Sequence, residues 1–365
     1  MKRMIVAPVE ELAICASAGA SAERLLSTKA LHDPMRRFMR CPHVAHLLAA
    51  GRTLRLETNS PKLLDHMVSL FAGSSEAPKE SPGFLWRIVV EPDSMDTPPW
   101  PRRSTFSVEG TRFAQFGQRN FLAVDLDARE AIGFVSEGLF EDAHGFTSPF
   151  VDTLFYMTAG ALGLVPFAAA CVCSATNALL VLGGPDQGKT TACYLAAQDG
   201  LIFHADQSVF LEIVNKEIRA WGDFVPLAFR PETLRHLPEL ASRTHPFSYC
   251  DFTFYYLPKQ PTTAHRLGHV TPVCCVVLER GISCVPRLDS IAASELPGFL
   301  SEHIAFDDDR QYEEQQQQSL AALERLPAYR LAYDSNPASA APFLRTLLSK
   351  HGRSNLSKND ERSES

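Results

Sequence analysis

The chain has 365 residues, 45% hydrophobic and 21% charged, the balance of an ordinary soluble globular protein large enough for two domains or one domain with an appendage. Its formal net charge of −7, with no dense Lys/Arg stripe, argues against a general grip on nucleic acid. The nine cysteines, Cys15, Cys41, Cys171, Cys173, Cys193, Cys250, Cys274, Cys275 and Cys284, include no C-x-x-C pair and no disulfide-framework spacing, so free thiols in a reducing cytoplasm are expected.

The N-terminus pairs Met1-Lys2-Arg3 with small residues at Ala16-Ser17-Ala18, as a secretory leader would. Glu10 and Glu11 fall where the apolar stretch of such a leader must lie, and they exclude it. Residues 1–50 are Ala-rich, weakly patterned and form a poorly defined N-terminal segment. Cys41, His43 and His46 are metal-ligand types, but their spacing fits no common zinc pattern and a second half-site is missing.

Residues 51–147 read as a β-rich α+β region. Alternation predicts a strand over 53–58, and Ser60-Pro61 is an N-cap with proline at the first helical position, opening a helix to Gly73. A strand follows over 84–91, then a stiff loop of Pro92, Pro98, Pro99 and Pro101 around Trp100. Short strands are predicted over 104–109, 112–116, 120–125 and 131–136.

A second domain is expected over 148–350. Ser148-Pro149 repeats the helix-start signal and predicts a helix to about Leu164. No charged residue lies between Asp152 and Asp186, a stretch long enough to raise the question of a membrane span. Pro166, Ser174 and Asn177 interrupt it, and it is read instead as the helix followed by buried strands over 168–174 and 178–182 with a turn at Thr176-Asn177.

The second of these strands runs into Gly183-Gly184-Pro185-Asp186-Gln187-Gly188-Lys189-Thr190, a complete phosphate-binding pattern, and a helix is predicted over 190–198. In a strand–loop–helix setting the loop's backbone N–H groups point inward at phosphate oxygens, which makes Gly183, Gly184, Pro185, Asp186, Gln187, Gly188, Lys189, Thr190 and Thr191 the candidate nucleotide-binding residues. Lys189 then reaches the outer phosphates and the Thr190 hydroxyl holds magnesium. Asp199-Gly200 ends the helix. A buried strand over 201–205 ends on Asp206, beside the place the phosphates would occupy, and makes it the candidate metal-binding and acid/base carboxylate.

Downstream lie a hairpin over 208–214 and 217–221, strands over 251–257, 273–278 and 328–333, and helices over 294–306, 311–326 and 338–350. Arg230, Arg235 and Lys259 fall in loops and are candidates to neutralise charge on a transferring group. The tail, 351–365, is polar and expected to be disordered.

The stretch 178–206 resembles the catalytic domain of HPr kinase/phosphorylase and its kinase-like relatives, which share a core with phosphoenolpyruvate carboxykinase. The residues that carry the resemblance are Gly183 to Thr190, Gly200 and Ala205-Asp206-Gln207. A looser similarity runs from about 150 to 350. It implies an α/β fold, a P-loop kinase core of the HPr kinase/phosphoenolpyruvate carboxykinase type preceded by the smaller α+β region. It also implies that Lys189 binds the β-phosphate, that Thr190 holds Mg2+, and that Asp206 deprotonates an acceptor serine. ATP and Mg2+ are the implied cofactors. Three positions depart from the family: Ala168 where a histidine is usual, Gln207 for a second aspartate, and Asp186 for a glycine.

The resulting expectation is an ATP-dependent serine kinase acting on a small protein or peptide. The alternatives are a catalytically degenerate ATP-binding interaction module and a kinase of a small metabolite. No nucleic-acid partner and no membrane span are expected, and homo-oligomerisation is left open.

Overall fold

A computed structural model describes residues 40–71, 82–92, 97–108, 110–250, 252–257, 268–281, 285–304, 312–334 and 336–363, with side chains to 352. Residues 1–39, and with them Cys15, lie outside the described residues, as do Cys284 and the candidate Lys259. The chain is mixed α/β with several sheets, three in all among the described residues.

The first sheet has seven strands: β1 (His43–Ala49), β2 (Arg52–Thr58), β3 (Phe84–Glu91), β4 (Ser104–Val108), β5 (Thr111–Phe116), β6 (Asn120–Asp125) and β7 (Glu130–Ser136). Their order is β1-β2-β3-β7-β6-β5-β4, with β3 parallel to both β2 and β7 and every other pair antiparallel. In β2 and β6 buried and half-buried residues alternate, as period-2 side chains must when one face packs on a core. β1 lies in the segment read as weakly patterned, a strand that composition did not disclose. Ser60 caps helix α1 (Pro61–Phe71), its Oγ accepting the Leu63 N–H at 3.2 Å, as expected.

A helical run leads out of this sheet. It starts at Ser136, whose Oγ accepts the Leu139 N–H, and not at Ser148-Pro149. Helix α2 (Glu137–Glu141) is followed by a turn at Ala143–Gly145, a wide π turn at Phe146–Val151, α3 (Asp152–Ala159) and a tight turn at Gly160–Leu162. Pro149 has no N–H to give a helix interior, and the π turn absorbs it. The expected domain border at 147/148 falls inside this run.

The second sheet holds β8 (Val165–Phe167), β9 (Ala170–Ser174), β10 (Asn177–Leu182), β11 (Ile202–Ala205), β12 (Val209–Val214), β13 (Glu217–Trp221), β17 (His269–Arg280), β18 (Arg287–Ser290) and β19 (Ala328–Tyr333). Seven lie in the order β11-β9-β10-β17-β13-β12-β8, and β19 also pairs with β17 in parallel while β18 pairs with β19. β10 runs parallel to β17. The strand expected over 168–174 is β9 beside β10, and a further short strand precedes it, β8 at the sheet edge, which tolerates Pro166.

The third sheet is antiparallel, β14 (Leu227–Phe229), β16 (Phe252–Leu257) and β15 (His245–Tyr249), with Trp100 bridged to Tyr249. The closing helix α7 (Ala341–Ser363) runs past Lys350, where the sequence reading ended it.

One apolar cluster joins the first sheet to the second through the helical run. Phe155 of α3 is 1% exposed and meets Phe210 of β12 at 4.6 Å between ring centroids, and Phe71 of α1 meets Phe224 at 4.6 Å. Burying rings of this size stabilises by roughly 2–3 kcal/mol each. At the β1–β2 turn Gly51 (φ 70°) lies so near the Trp221 indole that a Cβ there would come within 2.6 Å. Arg52 donates to Leu162 O at 2.9 Å and pairs with Glu212, which also accepts the Trp221 indole N–H at 2.8 Å.

Candidate functional site

The Gly183–Thr190 loop connects β10 to helix α4 (Lys189–Gln198), the strand–loop–helix arrangement expected. Its backbone needs left-handed conformations at Gly183 (φ 137°), Asp186 (φ 60°) and Gly188 (φ 78°). Both glycines also sit where a side chain would clash: a Cβ on Gly183 would meet Leu278 O at 2.9 Å, and one on Gly188 would meet the Tyr333 hydroxyl at 2.3 Å.

Three distant elements fasten the loop. The buried Tyr333, at the end of β19, donates its hydroxyl to Gln187 O at 2.5 Å. The Arg280 N–H at the end of β17 donates to Gln187 Oε1 at 2.6 Å. The Gly183 N–H donates to His303 Nε2 at 3.2 Å. Inside the loop Lys189 Nζ donates to Gly183 O at 2.7 Å and to Gly184 O at 3.0 Å. Burial lowers the pKa of Lys189, and the carboxylates of Asp206 and Asp186 act in the opposite direction.

Asp206 is 2% exposed, just beyond the end of β11, and its Oδ1 accepts the Thr190 hydroxyl at 2.6 Å. Its Oδ2 takes the Ala228 N–H of β14 at 3.4 Å. Asp223, also 2% exposed, accepts the backbone N–H of Asp206 at 3.0 Å and of Gln207 at 3.3 Å through one oxygen. Asp223 thereby fixes the turn that carries Asp206, while the Gln207 side chain is exposed. Asp152 of α3 belongs to the same charged neighbourhood: burial and the Asp223 carboxylate push it up to about 8, against the pull of Arg103.

The negative charge that Asp186 brings into the loop has a partner. Arg230 Nε lies 3.5 Å from Asp186 Oδ1, and its guanidinium sits over the rings of Phe252 and Phe254, 4.5 and 4.6 Å from their centroids. Asp186 is largely exposed, so the pair contributes less than about 1 kcal/mol to stability. The aromatic platform nonetheless orients the guanidinium at the loop mouth. Arg235 is exposed on the last turn of helix α5 (Pro231–His236).

The structure thus brings Gly183, Gly184, Pro185, Asp186, Gln187, Gly188, Lys189, Thr190, Asp206 and Arg230 together. Thr191 is 4% exposed and its hydroxyl lies 3.2 Å from that of Thr233. His303, Asp223 and Tyr333 escaped sequence reading, since nothing local marks a residue that serves a loop more than a hundred positions away or a turn in the next hairpin. Ala168, where the family histidine was sought, donates its N–H to His303 O at 2.7 Å.

A hydroxyl and a carboxylate oxygen converging beside a glycine loop are donors suited to Mg2+, which takes one or two carboxylates and completes its shell with phosphate oxygens and water. Among the described residues no group of three or more His, Cys, Asp or Glu side chains is placed to hold a metal by itself. Among the described residues no helix is long and apolar enough to cross a membrane.

No protein-family model matches the chain, and no curated protein matches its sequence. Among solved structures it is similar to the HPr(Ser) kinase/phosphatase from Coxiella burnetii at 9% sequence identity, over 55% of this chain and 96% of that one, with a TM-score of 0.29. The likeness is distant and carries no weight for chemistry or substrate.

Proposed function

We propose that the protein binds ATP at the Gly183–Thr190 loop and transfers its terminal phosphoryl group to a hydroxyl, a serine of a small protein or peptide. The observation that supports this best is the contact of the Thr190 hydroxyl with Asp206 at 2.6 Å, at the foot of a glycine loop that opens a helix. The loop amides receive the phosphates at the helix N-terminus, where the backbone dipoles favour anions. Lys189 leaves the carbonyls of Gly183 and Gly184 for the phosphates. Thr190 and Asp206 would hold Mg2+, which supplies charge neutralisation between the outer phosphates. Asp206 takes the proton of the acceptor hydroxyl as its oxygen bonds to phosphorus and the bond to the ADP oxygen breaks. Arg230, turned from Asp186 to the phosphates, offsets the negative charge that spreads over the transferring group.

The second reading, a nucleotide-binding module without turnover, is favoured by Gln207, whose amide cannot act as a second carboxylate. A kinase of a small metabolite would use the same residues with a different acceptor.

Calorimetric titration with Mg-ATP tests the site, with Lys189→Ala expected to weaken binding by at least a hundredfold, about 3 kcal/mol. Asp206→Asn, assayed with labelled ATP against candidate peptides and metabolite pools, is expected to retain ATP and lose transfer. Transfer that survives this change removes Asp206 from the mechanism. ATP binding by the wild-type protein with no phosphoproduct from any acceptor favours the module.

A further inference from the structure

His303 contacts the loop from behind, and no feature of the proposed chemistry calls for it. It follows helix α6 (Leu296–Ser301), and its neighbour Ile304 bridges to Phe167 of β8. The residue is fixed on three sides. Its backbone O accepts the Ala168 N–H at 2.7 Å, its Nδ1 lies 2.7 Å from Phe299 O, and its Nε2 lies 3.2 Å from the Gly183 nitrogen. A carbonyl and an N–H on opposite ring nitrogens admit one neutral tautomer, with the proton on Nδ1 and the lone pair on Nε2.

Gly183 is bonded on both sides: its N–H ends on the imidazole, and its O takes the Lys189 ammonium at 2.7 Å. The first residue of the loop therefore links His303 to the lysine that would hold the outer phosphates.

We propose that His303 is a positioning residue of the nucleotide site, a proton-sensitive latch whose Nε2 holds the Gly183 amide and releases it when the ring takes a second proton. The inference rests on the nucleotide reading of the loop. An imidazolium has two N–H groups and no lone pair, so it would turn a donor toward the donor on Gly183. The two would repel, and the loop would lose its rear anchor.

The surroundings keep the ring neutral near physiological pH. His303 is 9% exposed, and burial lowers its pKa from the ordinary histidine range. The charged groups that act on it are Lys189 of α4, which opposes protonation, and Glu302 beside it, which favours it. The hydrogen bond from Nδ1–H to Phe299 O also raises it, without overcoming burial, whereas the Gly183 N–H needs the Nε2 lone pair and so favours the neutral ring.

The test is Mg-ATP affinity at pH 8 and pH 5.5, with magnesium saturating, for wild type, His303→Gln and His303→Phe. Glutamine offers an acceptor oxygen and a donor N–H and does not titrate. It should bind somewhat more weakly than wild type at pH 8, yet lose less affinity in acid, by roughly two- to fivefold. Phenylalanine removes the acceptor and should bind weakly at both pH values, with thermal melting at pH 8 confirming that each variant folds. Dividing by the glutamine variant cancels the titration of ATP itself. Parallel pH curves for wild type and His303→Gln would overturn the latch alone. Absence of Mg-ATP binding by the wild type at pH 8 would overturn both the latch and the nucleotide reading.

Discussion

The first and second sheets bury similar apolar side chains but finish their strands differently. In the first, strand ends are closed by neighbours in sequence: Ser60 caps α1, Asp125 Oδ1 accepts the Ala128 N–H, and Asn120 Oδ1 accepts the Ser136 N–H from the adjacent hairpin. In the second, the ends of β10, β11, β17 and β19 meet around one loop and are closed by side chains from far along the chain. Tyr333 and Arg280 both hold Gln187, at separations of 146 and 93 residues. Local closure makes a scaffold that tolerates change piece by piece. Long-range closure makes a site whose geometry depends on the whole sheet being assembled.

The largest expected effect bears on whether the two sheets are separate at all. Phe155→Ala, in the shared cluster, should cost about 3–5 kcal/mol. If the regions fold as one unit, thermal unfolding followed by circular dichroism will stay a single transition at lower temperature. Two resolved transitions would break the link between them.

Gly188→Ala should act on the second sheet alone. It places a Cβ against the Tyr333 hydroxyl and requires alanine at a left-handed φ, a strain of about 1–2 kcal/mol before the clash. Melting and Mg-ATP titration should both show the loss. Adding Tyr333→Phe removes the clashing oxygen, and recovery of part of the stability would separate the clash from the backbone strain. The smallest effect is expected from Asp186→Gly, which removes a carboxylate from beside the phosphates and frees Arg230. Mg-ATP affinity should rise by a few-fold, within about 1 kcal/mol, with little change in melting. A fall in affinity would show that Asp186 presents Arg230 to the phosphates.

Much of this contrast was legible in the sequence. Alternation placed β2, β3, β5, β6 and β7 to within a residue or two, because each is judged by its own residues. The loop and Asp206 were legible for the same reason: a glycine pattern after an apolar run, then a helix and a return strand, is a local code. What escaped was non-local. The edge strand β1 carries its alternation within an Ala-rich stretch, and Ser136 gave no sign of starting a helix that Ser148-Pro149 advertises. β14, β15 and β18 are short or edge strands that exist because partners reach them. The neutralising role of Arg230 toward Asp186 depends on β14 folding back beside the loop, which spacing does not reveal.

The Gly51 turn has a consequence for how force would travel through the molecule. Gly51 rests on Trp221, whose strand ends two residues before Asp223, and Asp223 grips the amide that carries Asp206. Strain applied to the outermost hairpin of the first sheet, by a docked protein or a neighbouring subunit, therefore has only two residues of backbone to cross before it tilts the carboxylate. A surface turn remote from the loop in sequence is, mechanically, a short lever on it.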